Sequence, residues 1–306
     1  MKRIVQITAS QKQMKKHYNI QKRVVTGIIV ACVCVIILIV LAMVIIFSNK
    51  YHSAMQLYNE KKYQDAYMVF NEIPFKGSKD KASECLFLMQ KSNLTDIKVG
   101  DIIKFGSYEQ DNNRANGKEE IEWVVLDVEN NKALVVSKYI LDIQPYNKGR
   151  ESEVSVTWER CSLRKWLNDN FLNTAFGVKH QELIPSVSIF ADTDQTYKIH
   201  PDNAITTDKI FILGKAEVEK YFASEEARRC ILTAYADDNI DLYGYDHSSP
   251  DETHWWWWVR SHGLYQDWSA LIVLDNGTFK GGFDAIADCI GVRPALWINI
   301  DSQFSN

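Results

Sequence analysis

Ile121-Glu122-Trp123-Val124-Val125-Leu126-Asp127-Val128, then Glu129-Asn130-Asn131-Lys132, then Ala133-Leu134-Val135-Val136-Ser137 is the stretch that sets the fold class. Two runs rich in β-branched and aromatic residues flank a polar turn, and both read as strands. Upstream, Ile102-Ile103-Lys104-Phe105 reads as another strand. Downstream, Leu163 to Phe171 reads as an amphipathic helix with Ser162 as N-cap and Trp166, Leu167 and Phe171 as its apolar stripe. A buried strand over Lys209 to Leu213 leads to a helical region, Ala216 to Cys230, interrupted near Ser224. The last third returns to strands at His254 to Arg260, Ala270 to Leu274 and Val292 to Ile300, with a hairpin-type turn at Asp275-Asn276-Gly277. Helices in the middle of a mostly antiparallel β framework define an α+β fold, not an alternating βαβ chain.

Val24 to Phe47 is 24 residues without a charge, 17 of them Val, Ile, Leu or Phe. At about 1.5 Å per residue a helix of this length crosses a hydrocarbon core of roughly 30 Å. Residues 1–23 hold Lys2, Arg3, Lys12, Lys15, Lys16, Lys22 and Arg23 and no acid. Positive charge stays in the cytoplasm, so the expectation is a single-pass signal anchor in the cell membrane, N-terminus inside and residues 48–306 extracellular. A cleaved signal peptide has a shorter apolar core than this run, which ends in Phe47-Ser48-Asn49-Lys50, a poor cleavage site. Lipidation at Cys32 of Ile29-Val30-Ala31-Cys32 would leave fifteen further apolar residues on the mature N-terminus.

The chain carries a net charge of −4; its first 23 residues contribute +7, so the remainder sums to −11. An acidic ectodomain argues against nucleic acid as a partner, since phosphate binding needs a cationic surface. Cys32 and Cys34 lie in the span, and Cys85, Cys161, Cys230 and Cys289 lie outside it with no CxxC. Four cysteines allow three pairings, and buried free thiols are the default.

Between residues 48 and 94 the pattern is that of a helical hairpin. Leu57, Tyr58, Tyr63, Ala66, Tyr67, Phe70 and Ile73 recur at spacings of three and four, Pro74 and Gly77 break the run, and Ala82, Cys85, Leu86 and Met89 resume it. The Tyr63-x2-Ala66-x3-Phe70 portion resembles one helix of a tetratricopeptide repeat, present here as a single unit. It serves either as a docking site for a partner peptide or as a stalk. Residues 95–306 form the α+β domain.

Trp255-Trp256-Trp257-Trp258-Val259-Arg260-Ser261-His262 is the most unusual local feature. On a strand, Trp255, Trp257 and Val259 share an apolar face, while His254, Trp256, Trp258, Arg260 and His262 share a mixed one. One reading makes the mixed face a recognition surface for a glycan, cell-wall polymer or protein, completed by Asp267 and Trp268. The other makes the rings core and Arg260 a buried ion-pair partner. The same two readings apply to Arg293, which with Trp297 is expected on one strand face.

Several motifs run in family order: Gly100-Asp101-Ile102 with Phe105-Gly106-Ser107-Tyr108, Ile121 to Asp127, Ala133 to Ser137, and Thr157-Trp158-Glu159 with Leu163 to Asn168. Asp208 to Leu213, Trp257-Trp258-Val259-Arg260-Ser261 and Gly291-Val292-Arg293-Pro294-Ala295-Leu296-Trp297 complete the series. Together these resemble a bacterial domain family of unknown function, found in gut-dwelling Gram-positive bacteria behind a membrane anchor or zinc-ribbon module. The closing segments are also similar to the C-type-lectin-like fold of formylglycine-generating enzymes, which implies a fold and not an activity. The oxidases of that group bind copper with a cysteine pair near the C-terminal end; here only Cys289 lies in that region.

The sequence holds no G-x-S-x-G, H-E-x-x-H or P-loop. Cys161 and His180 carry no family spacing as a nucleophile and base. Asp237-Asp238-Asn239-x-Asp241 lacks the spacing and glycine of an EF-hand and reads as a solvated loop. No catalytic residue, metal site or cofactor is assigned. The expected function is recognition at the cell surface, the alternative a structural or interaction component of a membrane complex acting through the helical hairpin. An enzyme stands third.

Overall fold

The computed structural model describes residues 2–149, 156–190, 205–240, 253–263 and 268–300. The chain divides into two compact units, residues 1–85 and 86–306.

In the first unit, α1 (Lys2–Asn59) is one helix of 58 residues, followed by α2 (Tyr63–Asn71) and by α3 (Lys76–Ser92), of which the residues to Cys85 belong here. The expected span and the first arm of the expected hairpin thus lie on one continuous helix. Ser48-Asn49-Lys50 contains no Pro or Gly to stop it. α1 ends where Lys61 turns left-handed (φ 59), with Lys61 N–H donating to Tyr58 O and Lys62 N–H to Leu57 O. That double bond is the usual device for closing a helix C-terminus. Ala54, Ala66, Phe70, Ala82 and Cys85 form the small core of this unit. Within α1, Gln21–Asn59 is long and apolar enough to cross a membrane.

The second unit is α+β. Its first sheet has the order β1-β2-β3-β12-β7, from Ile102–Tyr108, Glu119–Glu129, Lys132–Ser137, Ala295–Asn299 and Ile210–Phe211. Its second sheet runs β10-β9-β8-β11-β4, from Phe279–Asp284, Ser269–Val273, Trp257–His262, Gly291–Val292 and Asp142–Ile143. A two-stranded ribbon pairs β5 (Val187–Phe190) with β6 (Ile205–Asp208). All these pairs are antiparallel except β11 with β8. Asn130 and Asn131 both take positive φ (49 and 59), which gives the β2–β3 turn the twist of its strands.

Between and beside the sheets lie short helices. α4 (Ser162–Trp166), a wider π-type turn over Leu167–Phe171 and α5 (Leu172–Ala175) replace the single expected helix. Cys161, not Ser162, caps it: the Cys161 Sγ accepts from Arg164 N–H at 3.4 Å, while Ser162 Oγ accepts from Lys148 N–H. α6 (Val178–Leu183), α7 (Lys215–Tyr221), α8 (Glu225–Arg228) and α9 (Ala234–Asp238) follow, with Ser224 capping α8 where the interruption was expected.

The expected strand Val292 to Ile300 is broken. Pro294 has no N–H for a ladder, so the chain leaves the second sheet at Val292 and re-enters the first at Ala295. Arg293 therefore shares no strand face with Trp297. A single apolar core, including Trp123, Phe105, Phe171, Phe211, Trp257 and Trp258, is built from both sheets.

Candidate functional site

The tryptophan run folds inward. β8 starts at Trp257, and Trp257, Trp258 and Val259 have no exposed surface, so both faces of the strand are covered. Every indole N–H of the run has an acceptor: Trp255 donates to Cys289 O (2.7 Å), Trp256 to Asp275 Oδ1 (3.3 Å), Trp257 to Arg228 O (3.0 Å) and Trp258 to Gln144 O (2.9 Å). Buried rings with satisfied N–H groups are packing elements that stitch β8 to its neighbours.

Arg260 is 5% exposed; its Nη1 donates to Ile212 O at 2.6 Å and pairs with Glu217 Oε2 at 3.0 Å. Arg293 is also buried, its Nε donating to Ser137 O at 3.0 Å and its guanidinium lying over the Phe222 and Trp257 rings. Of the proposed recognition face, then, Trp258, Arg260 and Arg293 are interior, and Trp256 is half-buried with its ring 5.5 Å from that of Phe283. Trp268 is exposed at 39%. His262 is placed by its backbone opposite Ala270, and Asp267 lies outside the described residues.

Two further candidates dissolve on inspection of their partners. His180 Nε2 sits 2.9 Å from Gln90 Oε1, which also accepts from Gly106 N–H, so the ring donates from Nε2 and is engaged by the core. Cys161 is buried and burial pushes its thiol up to about 12, the opposite of an activated nucleophile. The four cysteines outside the apolar run are buried and form no disulfide.

A concave feature among the described residues lies instead at β4, an edge of the second sheet. Asp142, Ile143, Gln144, Pro145, Lys148, Tyr235, Asn239, Ile286 and Asp288 line an open pocket of about 640 Å³, within the size range of small-ligand sites. Three segments far apart in sequence build it. β4 pairs with β11 through Val292 and Asp142. α9 is tied down by Tyr235 N–H to Gln110 O (3.0 Å) and capped by Thr233. The loop before β11 is fixed by Asn147 N–H to Ala285 O (2.8 Å).

At its base the Asp142 carboxylate accepts from the Tyr108 hydroxyl and from Gln144 Nε2 (3.1 Å). Burial raises its affinity for a proton and the two hydrogen bonds oppose that rise. Tyr108 is itself pushed up, by burial first and then by the Asp142 charge, and its ring meets that of Tyr235 edge-on at 5.9 Å. Both Asp142 oxygens are thus occupied by the protein, which makes this group a support of the pocket and not a reacting acid.

The rim is different. Asp288 and the Lys148 ammonium form no ion pair among the described residues. Asn239 Nδ2 donates to Tyr235 O (2.6 Å) and Gln144 Nε2 to Asp142, and neither amide oxygen accepts a hydrogen bond among the described residues. The pocket therefore offers mainly acceptors, one ammonium, a phenol ring and three apolar side chains. Sequence alone points to none of this lining as a site; the five-residue acidic run 237–241 around Asn239 reads as a solvated loop. A separate trio of acids, Glu109, Asp111 and Glu119, brings its oxygens within 4.8 Å of one another. Asp111 and Glu119 there accept from Asn113, Asn116 and Gln110.

Fold and site define an α+β domain with an open polar pocket, carried behind one helix long and apolar enough to cross a membrane. Residues 130–300 match the family described as "Domain of unknown function (DUF6273)", and the chain belongs to that family. The family is one of unknown function. No curated protein and no solved structure matches the chain.

Proposed function

We propose that the protein is a bacterial, single-pass recognition module, N-terminus inside, whose extracellular domain binds a glycan of the cell wall in the pocket at β4. The observation that carries this reading is the excess of acceptors at the rim with no donor among the described residues: Gln144, Asn239 and Asp288. Such a rim calls for a ligand rich in O–H and N–H groups and disfavours phosphate- or carboxylate-bearing polymers. The Tyr235 ring supplies an apolar face for a sugar. The seven basic residues before the span support the orientation. The kinship of the closing Trp-Arg-Ser and Gly-Val-Arg-Pro-Ala segments with the C-type-lectin-like fold enters as a likeness of fold alone.

Co-sedimentation of the full chain, held in lipid nanodiscs, with purified sacculi tests the proposal. Saturable binding by the wild type, reduced at least roughly tenfold by the pair Asn239→Ala and Asp288→Ala, is the expected result, since two hydrogen-bonding side chains are lost. Equal sedimentation of both proteins, or of neither, overturns it. Both residues are exposed, so the variant keeps its core.

A further inference from the structure

We infer that the ligand class of this pocket is an N-acetylated amino sugar, an inference that rests on the glycan reading above. An acetamido group presents an N–H donor, a carbonyl acceptor and a methyl group within a few ångströms of one another. The pocket presents the complement of each. The open oxygens of Gln144 and Asn239 and the Asp288 carboxylate accept an N–H and ring hydroxyls. The Lys148 ammonium is the one cation of the lining and pairs with no acid among the described residues, and it is offered to a carbonyl oxygen. Ile143, Pro145 and Ile286 supply the apolar wall that a methyl needs and a plain hydroxyl does not.

Alternatives fit less well. A neutral hexose leaves the apolar wall facing hydroxyls, which desolvates them without a partner. A free amine satisfies the acceptors yet meets Lys148 as a like charge and has nothing for Ile286. The backbone of the site is already fixed by the Asp142–Tyr108 bond and by the Asn147–Ala285 link, so discrimination falls to the rim side chains.

The test is a calorimetric titration of the nanodisc-held full chain with three soluble disaccharides: chitobiose, its de-N-acetylated form, and cellobiose. Binding of chitobiose at least roughly tenfold tighter than either of the others is expected, the worth of a matched hydrogen bond with a buried methyl. Ile286→Ser is expected to narrow that preference while its melting curve stays cooperative. Equal affinity for chitobiose and cellobiose, or a preference for the amine, overturns the N-acetyl assignment and leaves glycan binding standing. Sedimentation with sacculi but no binding of any disaccharide also overturns the assignment. Failure of both disaccharide binding and sacculus sedimentation falls on the glycan reading itself.

Discussion

Arg260 shows how a single side chain divides core from site. Its guanidinium is buried, pairs with a Glu217 side chain that is 34% exposed, and also donates to the Ile212 carbonyl. Arg260→Ala removes the ion pair and leaves that carbonyl without its donor, at a cost of about 3 kcal/mol. The denaturant midpoint is expected to fall with the slope unchanged, while sacculus binding per folded molecule stays at the wild-type level. A second residue carries a pH signature. Burial pushes His180 down to about 4, below its ordinary value near 6.5. The unfolded chain takes up the proton first, so the stability held above about pH 6.5 declines as pH falls towards 4, by roughly 3 kcal/mol in all. Asp142, whose pKa is raised by burial, acts in the opposite sense, its contribution being lost as pH rises through the acid range. Denaturation midpoints at pH 7 and pH 4.5 for the wild type and His180→Gln separate the two: the variant, neutral throughout, is expected to lose much of the acid-side decline. Sequence supplied the chemistry of Arg260 but not its direction, because alternation along a strand sorts side chains into two faces and cannot tell whether both are covered.

Elements were legible where punctuation was strong and illegible where it was long-range. The β2–β3 hairpin, the Asp275-Asn276-Gly277 turn and the Ser224 cap all sit at the expected places, because Asn, Gly and Ser act locally. Gly277 takes φ +83, and a Cβ there would lie 1.8 Å from Glu225 O, so the turn needs glycine twice over. The exchange of sheets at Arg293-Pro294 was marked by a proline, yet which sheet each half joins depends on partners some 150 residues away in sequence, Asp142 and Val136. α1 is the other lesson: Ser48, Asn49 and Lys50 end the apolar run but none is a Pro or Gly that stops a helix, and it continues to Asn59 through Tyr51, Ala54, Met55 and Tyr58. The first unit has its own core, with Phe70 fully buried at its centre. Phe70→Ala is expected to cost about 3–5 kcal/mol in that core. Limited proteolysis checks it: cleavage accelerates within residues 51–85, while the second unit, whose core contains none of these residues, resists as before.

For the whole molecule, the α+β class followed from the order of strands and helices, and the family likeness from motifs spread over the domain. The pocket did not. Its lining comes from residues 142–148, 235–239 and 286–288, three segments with no shared motif, joined by the β4–β11 ladder and the α9 anchor. No spacing rule brings such residues together, whereas four consecutive tryptophans attract attention whether they are core or surface. The proposed recognition site therefore lies at the sheet edge formed by β4, one strand removed from the aromatic strand β8. Hydrogen–deuterium exchange of the nanodisc-held chain, with and without solubilised sacculus fragments, tests that claim most directly. Protection is predicted at 142–148, 235–239 and 286–288, with β8 already protected in the free protein and unchanged. Ligand-dependent protection around Trp256 and Trp268, with none at those three segments, would contradict it.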